Sequence, residues 1–145
     1  RPLDVHVTDH AVTDADVWLY DSSTHVAIIG DLVTLYVPFF ETACPREWSQ
    51  ALDEVWATSF TIAIPGHGPP MSREQFGVYR AAFNAFMDCV RSDAQPAQCG
   101  GVWADGITAL TPDHSRRDAI ASGAVYYVEM LREHGGKSAD CQLPG

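Results

Sequence analysis

Apolar and polar positions change period several times along the chain, and each change marks an element. Val5 to Val7 alternate and predict a short first strand. Asp16-Val17-Trp18-Leu19-Tyr20 predicts a better one, and Asp21-Ser22-Ser23-Thr24 has the composition of a hairpin turn into the apolar run His25-Val26-Ala27-Ile28-Ile29. Gly30-Asp31 breaks that run, so the Asp31 carboxylate is expected at the end of a buried strand. Leu32 to Glu41 is apolar and aromatic, yet Pro38 argues against a central strand. So many exposed aromatics would be costly, so this loop is expected to lie against something, lining a cleft or plugging a core.

Cys44-Pro45 opens a helix with Pro at its first position, and Trp48, Leu52, Val55 and Trp56 recur at helical spacing as a face for the sheet. Thr61-Ile62-Ala63-Ile64 predicts another strand, ended at once by Pro65-Gly66-His67-Gly68. Ser72-Arg73-Glu74-Gln75 is a capping-box start, followed by the stripe Phe76, Tyr79, Phe83, Phe86 and Val90. Gly100 to Leu110 is expected to be a loop with a turn of helix around Trp103. Asp113 is expected to cap a last helix with Ile120, Ala124, Tyr127, Val128 and Leu131 along one face and Gly135-Gly136 as its stop. The order strand, strand, helix, strand, helix, helix predicts an α/β fold, a small mixed sheet with helices on one face. The other face needs a cover too.

The whole chain, residues 1–145, is expected to fold as one domain around one core, with 46% hydrophobic and 19% charged residues. Its formal net charge of -10 would repel a phosphate backbone, so nucleic acid is not an expected partner. No apolar run approaches the ~20 residues that span a bilayer, and Arg1-Pro2-Leu3-Asp4 is no signal core, so no membrane partner is expected. Arg1 in place of an initiator Met leads to the expectation of a processed product or a fragment. The cysteines, Cys44, Cys89, Cys99 and Cys141, lack the close paired spacing of a structural zinc site. A local Cys89–Cys99 disulfide is geometrically reasonable, and Cys44–Cys141 would then tie the tail to the body, although four cysteines permit three pairings. This usage favours an oxidising compartment, periplasmic or secreted; four buried thiols in a cytosolic protein is the competing reading.

The candidate chemistry gathers at two strand ends. Gly66 and Gly68 let the backbone pass close to a ligand while His67 points into a cleft, and Asp31 is delivered nearby. Alone, His67 reads as a solvated turn residue; beside Asp31 that reading changes, because carboxylate and imidazole are ligands for a divalent metal. No Gly-x-Ser-x-Gly elbow, cysteine nucleophile context or Gly-rich phosphate loop accompanies them.

Ile28-Ile29-Gly30-Asp31-Leu32-Val33 and Ile64-Pro65-Gly66-His67-Gly68-Pro69-Pro70, with one helix between them, resemble the C-terminal half of the metallo-β-lactamase superfamily. The resemblance covers about residues 9–87 best and leaves 88–145 as a helical extension. It implies half of an αββα sandwich, with Asp31 as a metal-bridging carboxylate and His67 as a terminal ligand. It also exposes gaps. The His-x-His-x-Asp-His motif of the N-terminal half does not occur, and where relatives have a segment like Ala-His-Thr-Asp-Gly-Asp this chain reads Ala11-Val12-Thr13-Asp14-Ala15-Asp16. Val12 cannot bind metal. His10, two residues earlier on the same face of an extended segment, is the candidate displaced ligand, although that spacing shifts a side chain by roughly 6.5 Å.

The metal candidates are therefore Asp31, His67 and His10, for zinc or another divalent metal, weakly bound or absent; no catalytic residue is assigned. The resemblance leads to a metallo-β-lactamase-like domain with an incomplete metal site and a binding or assembly role. The alternative is half of an active metal-dependent hydrolase whose His-rich half is missing or supplied by another chain. Expected partners are a second copy, forming a homodimer through the bare sheet faces, or a complementary N-terminal half.

Overall fold

The computed structural model describes residues 2–143; Arg1, Pro144 and Gly145 lie outside the described residues. Five strands form one mixed sheet in chain order: β1 Asp4–Asp9, β2 Ala15–Asp21, β3 Val26–Thr34, β4 Ile62–His67 and β5 Met71–Ser72. Antiparallel pairing joins β1 to β2, β2 to β3 and β4 to β5, whereas β3 and β4 run parallel. The parallel pair requires a crossover, which helix α1, Pro45–Ala57, supplies. Helix α2, Arg73–Arg91, follows β5 directly through the capping box: the Ser72 side chain accepts from the Gln75 amide and the Gln75 side chain accepts from the Ser72 amide.

Alternation decides which side of the sheet is buried. Trp18, Ala27, Ile29 and Ala63 point to the helices and are fully buried. There they meet Trp48, Leu52 and Val55 of α1 and Phe76, Tyr79, Phe83 and Phe86 of α2, the residues whose helical spacing predicts an apolar stripe. Helices α3, Pro96–Gly106, and α4, Arg117–Glu133, pack on one another and on α2.

Three expectations need correction. The Gly100 to Leu110 segment is not a loop, since α3 begins at Pro96 and runs to Gly106. A Gln95–Gln98 capping box and Pro96 start it. Its glycines serve packing: a β-carbon on Gly100 would strike the Ala121 carbonyl at 2.5 Å and Val125 at 2.6 Å, so only glycine lets α3 approach α4 this closely. Next, Gly30 does not end β3, nor does Pro65 end β4. Gly30, at φ 53°, bulges the strand, and the register shifts on both sides of it. Pro65 pairs with Gly30 at that irregular point, where the ladder best tolerates a residue without an amide hydrogen. Pairing resumes at Thr34 and His67. Finally, Asp113 caps a short 3-10 turn, His114–Arg116, by accepting from the Ser115 amide and hydroxyl, and α4 starts only after it.

Both disulfides join the cysteines that spacing suggested. Cys89–Cys99 bridges the end of α2 to the start of α3, and Cys44–Cys141 fastens the tail to the N-terminal end of α1, with Cα separations of 5.4 and 5.2 Å. The same tail is held by Ser138, whose amide donates to the Ala43 carbonyl and whose hydroxyl donates to that of Glu41. Two disulfides are consistent with an oxidising compartment. No helix among the described residues is long and apolar enough to cross a membrane.

Candidate functional site

Parallel strands deliver their C-terminal ends to the same edge, and here β3 and β4 bring Asp31 and His67 together. His67 Nε2 lies 3.5 Å from Asp31 Oδ1, and both side chains are open to solvent. Gly66 makes this approach possible. It has no side chain where one would run into the Asp31 carboxylate, and a β-carbon there would also sit 3.0 Å from the Gly30 carbonyl carbon. The Leu35 amide donates to the His67 carbonyl at 3.1 Å, fixing the strand end against the following loop.

Asp31 and His67 stand in a cleft of about 420 Å³ whose other walls are Val12, Thr13, Thr34, Leu35, Val37 and Phe39. The aromatic loop that follows Asp31 was expected either to line a cleft or to plug the core, and it does both. Phe40 is fully buried against Trp48, Phe83 and Phe86, while Leu35, Val37 and Phe39 face the cleft. Trp103 of α3 holds the loop from behind by donating its indole N–H to the Tyr36 carbonyl at 2.8 Å, and Arg116 lies over the Tyr36 ring. These cleft walls went unassigned in the sequence beyond the apolar character of the loop.

Val12 is a rigid part of the wall. Its amide and that of Thr13 donate to the Asp16 carboxylate at 2.9 and 3.0 Å, its carbonyl accepts from the Thr42 hydroxyl at 2.7 Å, and its side chain is buried. His10 takes a different course. The chain turns there at φ 60°, with the His10 amide donating to the Asp14 carbonyl, so the segment is not extended and the same-face argument does not apply. His10 does not line the cleft, and its Nδ1 is buried without a hydrogen-bond partner.

Of the four remaining histidines, three have packed or hydrogen-bonded settings, and His114 lies in the short turn before α4. His6 stacks on Trp18 with ring centroids 3.8 Å apart, His25 Nδ1 lies 3.1 Å from the Tyr20 hydroxyl, and His134 Nδ1 meets the Met130 carbonyl at the end of α4.

No protein-family model matches the chain, and no curated protein matches it in sequence. Among solved structures, a metallo-β-lactamase family protein from Thermus thermophilus is similar to 90% of this chain at 19% identity, with a TM-score of 0.49. The chain spans 44% of that protein's length.

The donor geometry itself tests a metal here. Two ligands about 2.1 Å from one tetrahedral ion stand roughly 3.4 Å apart, and the Asp31–His67 separation of 3.5 Å matches that spacing. Two vertices are all the cleft offers. Among the described residues no three His, Cys, Asp or Glu side chains converge to hold a metal ion, and a zinc site needs three or more protein ligands. The pair does not by itself make a zinc centre.

Proposed function

We propose that this chain is a metallo-β-lactamase-like domain whose metal site is incomplete, and that it serves as a binding or assembly module rather than as a hydrolase on its own. One observation carries the reading: Val12, the residue aligned with a superfamily histidine, lies in the wall of the cleft that holds Asp31 and His67. An apolar side chain there offers no lone pair, and the hydrogen bonds around it leave the backbone little room to bring another donor forward. The cleft keeps an apolar wall and two polar groups, a composition suited to holding a small molecule or a partner's side chain.

Zinc titration calorimetry of the purified chain, together with hydrolysis assays on generic ester, lactam and thioester substrates, tests the reading. Weak or absent zinc binding and no turnover is the expected result. Turnover that disappears with chelator and with Asp31→Ala would overturn it.

A second reading makes the chain one half of a metal-dependent hydrolase, with the missing ligands supplied by a chain bearing the His-rich motif. The openness of Asp31 and His67 to solvent favours it, because a partner has direct access to both. Stoichiometric zinc appearing only on mixing with such a chain would support it.

A further inference from the structure

The alternation that buries one face of the sheet leaves the other apolar and bare. Val5 and Val7 of β1, Val17 of β2, Ile28 of β3 and Ile62 and Ile64 of β4 are between 37% and 64% exposed. They form one patch, because the ladder pairs Val7 with Val17 and Ile28 with Ile64, while half-buried Leu19 bridges Val5 and Ile28. An antiparallel sheet facing water normally places polar residues on its outer face. On this face the acids lie toward the ends of the strands, Asp9, Asp21 and, past the Gly30 bulge, the exposed Asp31 against Gly66, and β1 to β4 contain no Lys or Arg.

We infer that this sheet face is the interface of a homodimer in which two copies pack face to face. The area supports it. Six aliphatic side chains at these exposures present roughly 500 Å² per copy, within the range of the largest patch on a monomer, and two such faces bury about 1,000 Å², the least that a specific interface should clear. The charge pattern fits a second copy as well. An uncharged aliphatic centre needs no charge complement, so it is complementary to itself, and face-to-face pairing about a two-fold axis closes after two subunits. Each copy carries a net charge of -10, so the contact forms against repulsion between acidic subunits, and salt strengthens it by screening.

Light scattering on the full chain at micromolar concentration, from low salt to about 0.5 M, reads this directly. A species of twice the chain mass is expected, with its dissociation constant falling as salt rises. Val17→Lys with Ile28→Lys should weaken it at least tenfold while circular dichroism stays native. The milder pair Val17→Thr with Ile28→Thr covers the case in which two lysines disturb folding. Val102→Lys, an exposed apolar position on α3 away from the sheet, should leave the dimer intact. A wild-type monomer at every salt concentration, open-ended aggregates, or a dimer indifferent to both sheet-face pairs overturns the inference. So does a chain that stays monomeric alone and pairs only with a complementary half.

Discussion

Gly66 and Asp31 occupy each other's side-chain space: the carboxylate of Asp31 fills the position that a β-carbon on Gly66 would take. The contact links neighbouring parallel strands at the point where the Gly30 bulge turns Asp31 toward the cleft. Gly66→Ala therefore has to displace the carboxylate and press on the Gly30 backbone, which is far less able to move. A loss of about 1–3 kcal/mol is expected, the ordinary cost of overpacking, read from urea denaturation. An unchanged midpoint would mean that Asp31 moves aside freely and that the cleft is less rigid than its hydrogen bonds indicate.

Val12 gives the second prediction, which rests on the proposed incomplete site. If the cleft lacks only a ligand, Val12→His should supply one. Zinc binding is expected to tighten by at least about tenfold over the wild type and to be lost again with His67→Ala. His10→Ala in the wild-type background should change zinc binding little, because His10 does not line the cleft. Calorimetric titration of the three variants checks both statements, and zinc affinity that falls in His10→Ala would return His10 to the ligand set.

Much of the architecture was legible because local signals agreed with one another. The capping box at Ser72 and Gln75, the Pro45 start of α1 and the stripe from Phe76 to Val90 are each fixed by neighbours within a few residues. What escaped depends on distant partners. Gly100 and Gly101 look like loop residues, yet Gly100 is set by contact with Ala121 of α4, which no local pattern reveals. Gly30 and Pro65 each look like a strand end, yet they meet across a parallel ladder that absorbs both irregularities. The cleft shows the same division. Asp31 and His67 stand out by residue type and turn context, whereas Thr34, Leu35 and Val37 join them only once α3 and α4 press the loop into place.

The two disulfides close loops of very different length and should differ in worth. Cys44–Cys141 spans 97 residues and Cys89–Cys99 spans 10. The chain-entropy model assigns about 5 kcal/mol to the first and about 3 kcal/mol to the second. Replacing each pair by alanine should therefore cost more at Cys44 and Cys141, as measured by urea denaturation under oxidising conditions. Reduction should also release the tail beyond Ser138, which continues to hold the Glu41 and Ala43 carbonyls. Equal losses for the two pairs would show that native-state packing, rather than loop closure, sets their contribution.

Tyr79 connects stability to alkaline pH. Its hydroxyl accepts from the Thr34 amide at 3.4 Å, beneath the cleft, and the side chain is wholly buried. Burial is the dominant influence and pushes the phenol well above its ordinary value of 10.0, with the bond from Thr34 opposing it more weakly. Below about pH 10 folded and unfolded chains both hold this proton, so the stabilisation is fully present. Above that, the unfolded chain releases the proton while the folded chain keeps it. Stability then falls by about 1.4 kcal/mol per pH unit until the folded pKa is reached. Tyr79→Phe should cost about 1–2 kcal/mol near neutral pH by leaving the Thr34 amide without its acceptor, and should flatten the alkaline decline. Tyr127, shifted upward mainly by partial burial, keeps the remaining slope in the same direction. Urea denaturation of both proteins between about pH 9 and pH 11 makes the comparison, and equal slopes would mean that Tyr79 is solvated or ionised in the folded protein.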